Sequence, residues 1–240
     1  MIIYRVMNNI KITIATVCYN AVKDIENVIL SVCHQTYCCI EFIIVDGGST
    51  DGTLDIIHKY KSFITQWISE SDNGIYDAMN KALDMATGDF ILFLGADDHL
   101  MSCDTIEKVV CYIDDMDNVY YGDVYRNTRN DLYRGRFNKY MLACENICHQ
   151  SIFYPRSIYK YMKYDLKFRI YADYIYNIRN WHRTQYTYIP VCISYFNCMG
   201  VSGNSLDALN EKYSRNIMQE VKHNLGWLCY LTKCVYKLTK

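Results

Sequence analysis

A chain of 240 residues with a net charge of −1 offers nucleic acid no bulk attraction, so nucleic-acid partners are not expected. Its 51 % hydrophobic and 21 % charged residues make a globular rather than a disordered composition. The length suits one large α/β domain, or one domain with a small appendage.

The first segment, KITIATVCYN, has a β-branched run from Ile12 to Val17 that predicts a buried strand ending at Tyr19-Asn20. Val22, Ile25, Val28, Ile29, Val32 and Cys33 then recur at helical spacing. IEFIIVDGGSTDGT predicts a second strand running into a Gly-rich turn, with Asp51-Gly52-Thr53 opening a helix through Tyr60. ITQWIS predicts a short third strand. Tyr76, Met79, Ala82, Leu83 and Ala86 form one helical stripe, with Gly88 expected as the C-cap. FILFL, Phe90 to Leu94, is the fourth strand and ends in Gly-Ala-Asp-Asp.

Four strand–helix alternations in a hundred residues argue for a parallel, doubly wound sheet with right-handed crossovers. Ligands in such sheets bind beyond the carboxyl ends of the strands. Thr16, Tyr19, Asn20, Asp46, Ser49, Asp72, Asp97 and Asp98 all fall there.

The rhythm changes after Leu100. NVYYGDVY and DLYRGRF predict antiparallel strands with Gly turns, and HQSIFYPRSIY another strand with Pro155 starting a short helix. YADYIYNIRNWH puts Tyr171, Tyr174, Ile175 and Ile178 on one helical face. TYIPVCISYF reads as edge-strand material around Pro190. From Asp207 the pattern is helical to the end.

Twelve cysteines occur without a Cys-x-x-Cys pair, and MIIYRVMNNI lacks the apolar stretch of a secretory signal. They are therefore expected as small buried hydrophobes in a reducing cytoplasm. A zinc site at Cys144, Cys148 and His149 would lack a fourth ligand at a familiar spacing. No apolar run approaches the ~20 residues that span a bilayer.

Adjacent carboxylates repel, and a hard divalent cation with oxygen preference removes that repulsion. Asp97-Asp98 therefore reads as a Mn²⁺ or Mg²⁺ site, against the plain alternative of a cap for the next helix or loop. The segment TVCYNA has no glycine for a dinucleotide fingerprint, and GGSTDGT has Thr53 where a phosphate-binding loop needs lysine. A nucleotide held by carboxylates and a metal remains.

TVCYN, SVCHQTY, EFIIVDGGSTDGT, SESDNGIYDAMNKA, ATGDFILFLGADD and YADYIYNIR together resemble the family 2 glycosyltransferases of the GT-A fold. The nearest group is that of bacterial colanic-acid, O-antigen and capsule pathways, and the resemblance runs from about Lys11 to Ser202. It implies a GT-A nucleotide-diphospho-sugar transferase fold with a mostly parallel sheet, a small antiparallel acceptor-side part and a C-terminal helical tail. It divides the chain into a transferase domain, 1–205, and a tail, 206–240. Within the domain, 11–100 would bind the nucleotide-sugar and 101–205 would face the acceptor.

The implied activity is inverting, metal-dependent transfer from a nucleotide-sugar, UDP-linked by analogy, to a saccharide or lipid-linked saccharide. Thr16, Tyr19, Asn20, Asp46, Ser49 and Asp72 would hold the nucleoside, Asp97 the ribose and Asp98, with Asp97, the metal. Lys81 would approach the phosphates or remain a solvated helix lysine. Asp173 would be the base, its alternative being an N-cap. Asp123 would be an alternative base on the acceptor side or a turn residue; His149 and Gln150 would line the acceptor or metal side or be structural; Arg179 would orient Asp173 or contact a phosphate, or be a helix-surface arginine. Gly95 stands where the family often has Asn, Ala82 where it often has Gly, and Met199 replaces the first Gly of a Gly-Gly-Val-Ser segment.

The tail, EVKHNLGWLCYLTKCVYKLTK, has two readings. One is a basic amphipathic helix lying peripherally on the cytoplasmic face of the inner membrane. The other is a last helix packed on the core with its lysines facing water. Two rival functions are a catalytically silent nucleotide-sugar-binding domain, which would lack Asp97, Asp98 or Asp173, and a nucleotidyltransferase, which wants a Gly-rich basic loop after the first strand.

Overall fold

A computed structural model describes residues 10–127, 129–133, 135–197 and 207–239. The expected boundary between 205 and 206, and Met199, lie outside the described residues.

Strands β1 (Ile12–Cys18), β2 (Ile40–Asp46), β3 (Gln66–Ser69) and β4 (Phe90–Gly95) run parallel in the order β3-β2-β1-β4. Strands β1, β2 and β4 read as apolar runs because helices cover both faces, whereas β3, at the edge, is partly exposed. Ala15 packs in a layer with Tyr76, Met79, Ala82 and Leu83 of α3 (Ile75–Met85). Ile12, Ile14 and Cys18 pack in the opposite layer with Ile25, Val28, Ile29 and Val32 of α1 (Ile25–Cys33) and Ile57 of α2 (Thr53–Lys59). Helix α1 crosses between β1 and β2, α2 between β2 and β3, and α3 between β3 and β4. Alternate strand residues thus feed two cores.

The second half adds β5 (His99–Leu100), α4 (Thr105–Val110), β6 (Val119–Arg126), β7 (Asp131–Tyr133) and α5 (Lys139–Cys144). A 3₁₀ turn at His149–Ser151 leads into β8 (Ile152–Pro155), followed by α6 (Arg156–Tyr159), α7 (Ala172–Asn180) and β9 (Tyr186–Phe196). Strand β8 pairs antiparallel with β4 and with β6, which carries the sheet on through β8-β6-β9-β5. The expected mostly parallel α/β sheet with an antiparallel part is what forms. Helices α8 (Asp207–Asn224) and α9 (Trp227–Thr239) end the described chain. No helix among the described residues is long and apolar enough to cross a membrane.

Gly88 is not the cap of α3. The helix stops at Met85, and Ala86 is already extended. Gly88 instead lies against β1, where a Cβ would come within 2.5 Å of Thr13 Oγ1 and 2.7 Å of its backbone nitrogen. Pro190 falls where β5, which pairs with β9 at Leu100–Ser194 and His99–Tyr195, does not reach, so the strand is an edge there. It also falls in a bulge, since the β6–β9 register jumps from Tyr121–Tyr188 to Asp123–Cys192. Gly122 faces that bulge, and a Cβ on it would collide with the Val191 carbonyl and lie 2.8 Å from Ile193 Cγ1.

The backbone cannot yield at Val191 without breaking the bulge. Gly122→Ala is therefore expected to lower stability by about 1–3 kcal/mol, as overpacking does. Urea denaturation would show a lower midpoint at an unchanged slope.

Candidate active site

The carboxyl end of β2 forms one corner. Asp46 is fully buried, and it accepts hydrogen bonds from the Gly48 and Ser49 backbone nitrogens at 3.1 and 2.9 Å, from Ser69 Oγ at 2.6 Å and from the Ser49 hydroxyl. Burial raises a carboxyl, but these donors outweigh it and hold Asp46 below its ordinary value. Asn20 has left-handed backbone (φ 49°). Its backbone nitrogen donates to Ser49 Oγ at 2.7 Å, and its Oδ1 accepts from Thr50 N at 2.9 Å. The β1 end and the Gly-rich turn are thereby locked together.

Above that turn, Asp72 and Tyr19 close over Gly47. A Cβ on Gly47 would lie 2.5 Å from Asp72 Oδ2 and 3.4 Å from Tyr19 Cδ2. Tyr19 keeps 64 % of its surface exposed, an open aromatic face beside a carboxylate. Thr16, by contrast, is enclosed in β1, and its hydroxyl is buried without a hydrogen-bond partner.

The acidic pair ends β4. Asp98 is 1 % exposed; Oδ2 accepts from Gly95 N and from Gln150 Nε2, both at 3.0 Å, and Oδ1 from Asn197 N at 3.1 Å. Burial raises its pKa against those donors and the charge of His149. Burial and the Asp98 charge push Asp97 up to about 6. Asp97 is half-buried, and no described side chain donates a hydrogen bond to it. Asp97, raised by burial and by the Asp98 charge beside it, fits a hard divalent cation. Among the described residues no three His, Cys, Asp or Glu side chains gather as a metal cage. Asp97 and Asp98 would therefore supply the protein's share of ligands for Mn²⁺ or Mg²⁺, leaving positions for water and phosphate oxygens. The same finding sets aside zinc at Cys144, Cys148 and His149: Cys148 Sγ instead donates to Gln150 Oε1 at 2.8 Å, and the described cysteines remain thiols.

Asp173 stands at the start of α7, whose N-cap is Tyr171 in left-handed conformation (φ 74°). Asp173 is not the cap. Its Oδ1 accepts from the Tyr76 hydroxyl at 2.8 Å; its Oδ2 accepts from Asn146 Nδ2 at 2.8 Å and from His149 Nδ1 at 3.2 Å. Burial raises the carboxyl, but the His149 hydrogen bond and charge, then Tyr76, prevail and hold it below its ordinary value. His149 moves the other way: burial lowers it, and Asp173 followed by Asp98 raises it above 6.5. Adjacent residues of one 3₁₀ turn thus hold the two carboxylates, Gln150 on Asp98 and His149 on Asp173.

Other expected residues lie elsewhere or do other work. Lys81 pairs with Glu70 at 2.9 Å and donates to the Ser71 carbonyl at 3.1 Å. Arg179 does not reach Asp173; it bridges Asp165 at 3.2 Å and Glu220 of α8 at 2.5 Å. Asp123 accepts from Tyr188 OH at 3.0 Å and Gly135 N at 3.1 Å. The sequence gives no sign of Tyr76, Asn146 and Asn197 as site residues. Tyr76 is indistinguishable there from the apolar stripe around it, and the two asparagines sit in loops without a pattern.

The family model described as "Glycosyl transferase family 2" matches residues 13–182. A "PGL/p-HBAD biosynthesis glycosyltransferase" of Mycobacterium bovis is 38 % identical over 188 residues, covering 74 % of this chain and 73 % of that protein. Among solved structures, S. aureus TarS 1-349 in complex with UDP-GlcNAc superposes with a TM-score of 0.71 at 18 % identity, over 89 % of this chain and 67 % of that one. The mannosyltransferase PcManGT from Pyrobaculum calidifontis, in complex with GDP-Man and Mn2+, gives 0.65 at 16 % identity, over 94 % and 73 %. At such identities these two carry the fold alone.

His149 and Asp173 titrate as a pair. With Asp173 lowered from 3.8, its share of stability is present above that value and lost as pH falls through the folded pKa. With His149 raised from 6.5, its share is present below that value and lost as pH rises through the folded pKa. The pair is thus fully formed between about pH 4 and 6.5. NMR titration should place His149 above 6.5 in the wild type and lower in Asp173→Asn.

Proposed function

The chain belongs to glycosyl transferase family 2, and we propose that it moves a sugar, with inversion, from a UDP-linked donor to a lipid-linked saccharide. The product would be a repeat unit of a surface polysaccharide of the O-antigen or capsule kind, made at the cytoplasmic face of a membrane that the tail touches. The observation that carries the reading is Asp173, a carboxylate held ionised by three hydrogen bonds and joined through His149-Gln150 to the Asp97-Asp98 pair. UDP rests on analogy with relatives and on the exposed face of Tyr19 beside Asp72, where a pyrimidine would stack.

Tyr19, Asn20, Asp46, Ser49 and Asp72 order the nucleoside corner. Asp46 does so through the Gly48–Ser49 turn, since the protein's own donors surround its carboxylate. Asp97 lies toward the ribose. A Mn²⁺ or Mg²⁺ ion held by Asp98 and Asp97 would neutralise charge on the departing diphosphate. Asp173 takes the proton of the acceptor hydroxyl. That oxygen bonds to the anomeric carbon on the face opposite the diphosphate, and the carbon–oxygen bond to phosphate breaks with its electron pair leaving on the diphosphate. Tyr76, Asn146 and His149 keep Asp173 oriented through the step.

Two substitutions separate donor binding from transfer. Asp98→Ala should abolish the metal-dependent part of donor affinity, and an affinity equal with Mn²⁺ and with EDTA in both proteins would sink the metal assignment. Asp173→Asn should keep donor binding and lower transfer about 10²–10⁴-fold, the usual worth of a general base; full activity would remove it as the base. A thermal-shift panel of UDP, GDP, CDP and dTDP sugars identifies the donor, since a ligand that binds only the folded state raises apparent stability. Stabilisation by UDP sugars with Mn²⁺ is expected; stabilisation by another base would replace UDP.

A further inference from the structure

The tail helix α9 is packed against its own composition. The side chain it turns into the protein is a lysine: Lys233 is 6 % exposed, donates to the Ala143 carbonyl at 2.7 Å and the Tyr174 hydroxyl at 3.1 Å, and lies over the Tyr174 ring. Cys229 is buried beside it. The side chains it turns outward are apolar: Leu228, Val235 and Leu238 are 62, 61 and 87 % exposed, and Trp227 and Leu231 complete the stripe. A last helix merely packed on the core would show the reverse, with lysine out and leucine in.

The stripe does not end at the helix edge. Tyr140 and Met141 of α5 are exposed beside it, and an open groove of about 630 Å³ between the helices is lined by Tyr140, Cys144, Leu228, Leu231 and Val235. Lysines surround this apolar face. Lys139 lies over the Tyr140 ring at 5.2 Å and Lys222 over the Trp227 ring at 4.7 Å, and Lys237 is exposed in the last turn. Aromatic rings carrying cations at the edge of an apolar stripe suit the boundary between acyl chains and phosphate headgroups. Glu145, an exposed acid here, is hydrogen-bonded by Tyr236.

We propose that the outer face of α9, with Tyr140 and Met141 of α5, seats on an anionic lipid surface. Trp227, Leu228, Leu231, Val235 and Leu238 enter the acyl boundary, and Lys139, Lys222 and Lys237 meet lipid phosphates. The seat is next to the chemistry. Helix α5 ends at Cys144, and Asn146 two residues on donates to Asp173. Tyr174, which Lys233 grips, follows Asp173 directly. The proposal rests on the lipid-linked acceptor above only for its purpose; the surface itself stands on the exposed residues.

The test is sedimentation of the full chain with vesicles of phosphatidylcholine alone and of phosphatidylcholine with phosphatidylglycerol, at low and high salt. Binding to the anionic vesicles, weakened by salt, is expected. Lys222→Glu/Lys237→Glu should weaken it about fivefold or more per lysine. Leu231→Asp/Val235→Asp should abolish it while leaving the melting temperature and the UDP-sugar thermal shift unchanged. Wild-type protein that ignores both vesicles at low salt overturns the proposal, as does binding that survives Leu231→Asp/Val235→Asp. A dimer that the same variant dissociates would assign the face to a second copy instead. Donor binding measured on the same samples keeps the two readings apart: a failed donor reading leaves vesicle binding intact, and a failed lipid reading leaves the thermal shift intact.

Discussion

Two carboxylates that are less than a tenth exposed must both find donors, and one 3₁₀ turn supplies a donor to each. Left unpaired, each would cost several kcal/mol of desolvation. His149 and Gln150 are neighbours in sequence, so Asp173 and Asp98 are held by side chains one peptide apart. The rest of the second half secures that turn. Ser151 Oγ closes it onto the Cys148 carbonyl at 2.9 Å, and Ser194 of β9 donates to the Gln150 carbonyl at 3.0 Å. Strand β8 begins at the next residue and pairs with β4, the strand that ends just before Asp98. The break from parallel to antiparallel pairing is thus what brings the turn against the acidic pair.

The corner at the carboxyl end of β2 is organised differently. There the charged group is satisfied by its own loop, and the backbone rather than a partner strand takes the shape. Gly47 has no side chain because Asp72 and Tyr19 occupy that space, and Gly48 has positive φ (84°). Asp46 also ties β2 to β3 through the Ser69 hydroxyl. A self-satisfied loop at the end of β2 and a carboxylate held across the chain at the start of α7 divide the site between local turn chemistry and long-range packing.

That division also decides what the sequence discloses. The first half is written in local patterns: β-branched runs, helical stripes and Asp-Gly turns, each legible within a dozen residues. Asp97-Asp98 could be placed because a strand end fixes its own location. Asp173 is legible through resemblance, but its setting is not, because Tyr76, Asn146 and His149 reach it across 97, 27 and 24 residues. Arg179, six positions after Asp173 on the same helix, turns instead to Asp165 and α8. Gly88 misleads for a related reason. A glycine after a helix looks like a cap, whereas this one makes room for β1. Pro190 reads correctly as an edge, but the bulge it occupies depends on β6 and has no signature of its own.

The lysine turned inward on α9 bears on how such a protein can be inherited. Its ammonium is gripped by a carbonyl of α5 and a hydroxyl of α7, two elements of the transferase proper. A tail fastened this way is no interchangeable cassette. Recombination that swapped it alone would strand a buried charge or leave the Tyr174 hydroxyl without its donor. The last helix is bound to descend together with the body it is fastened to.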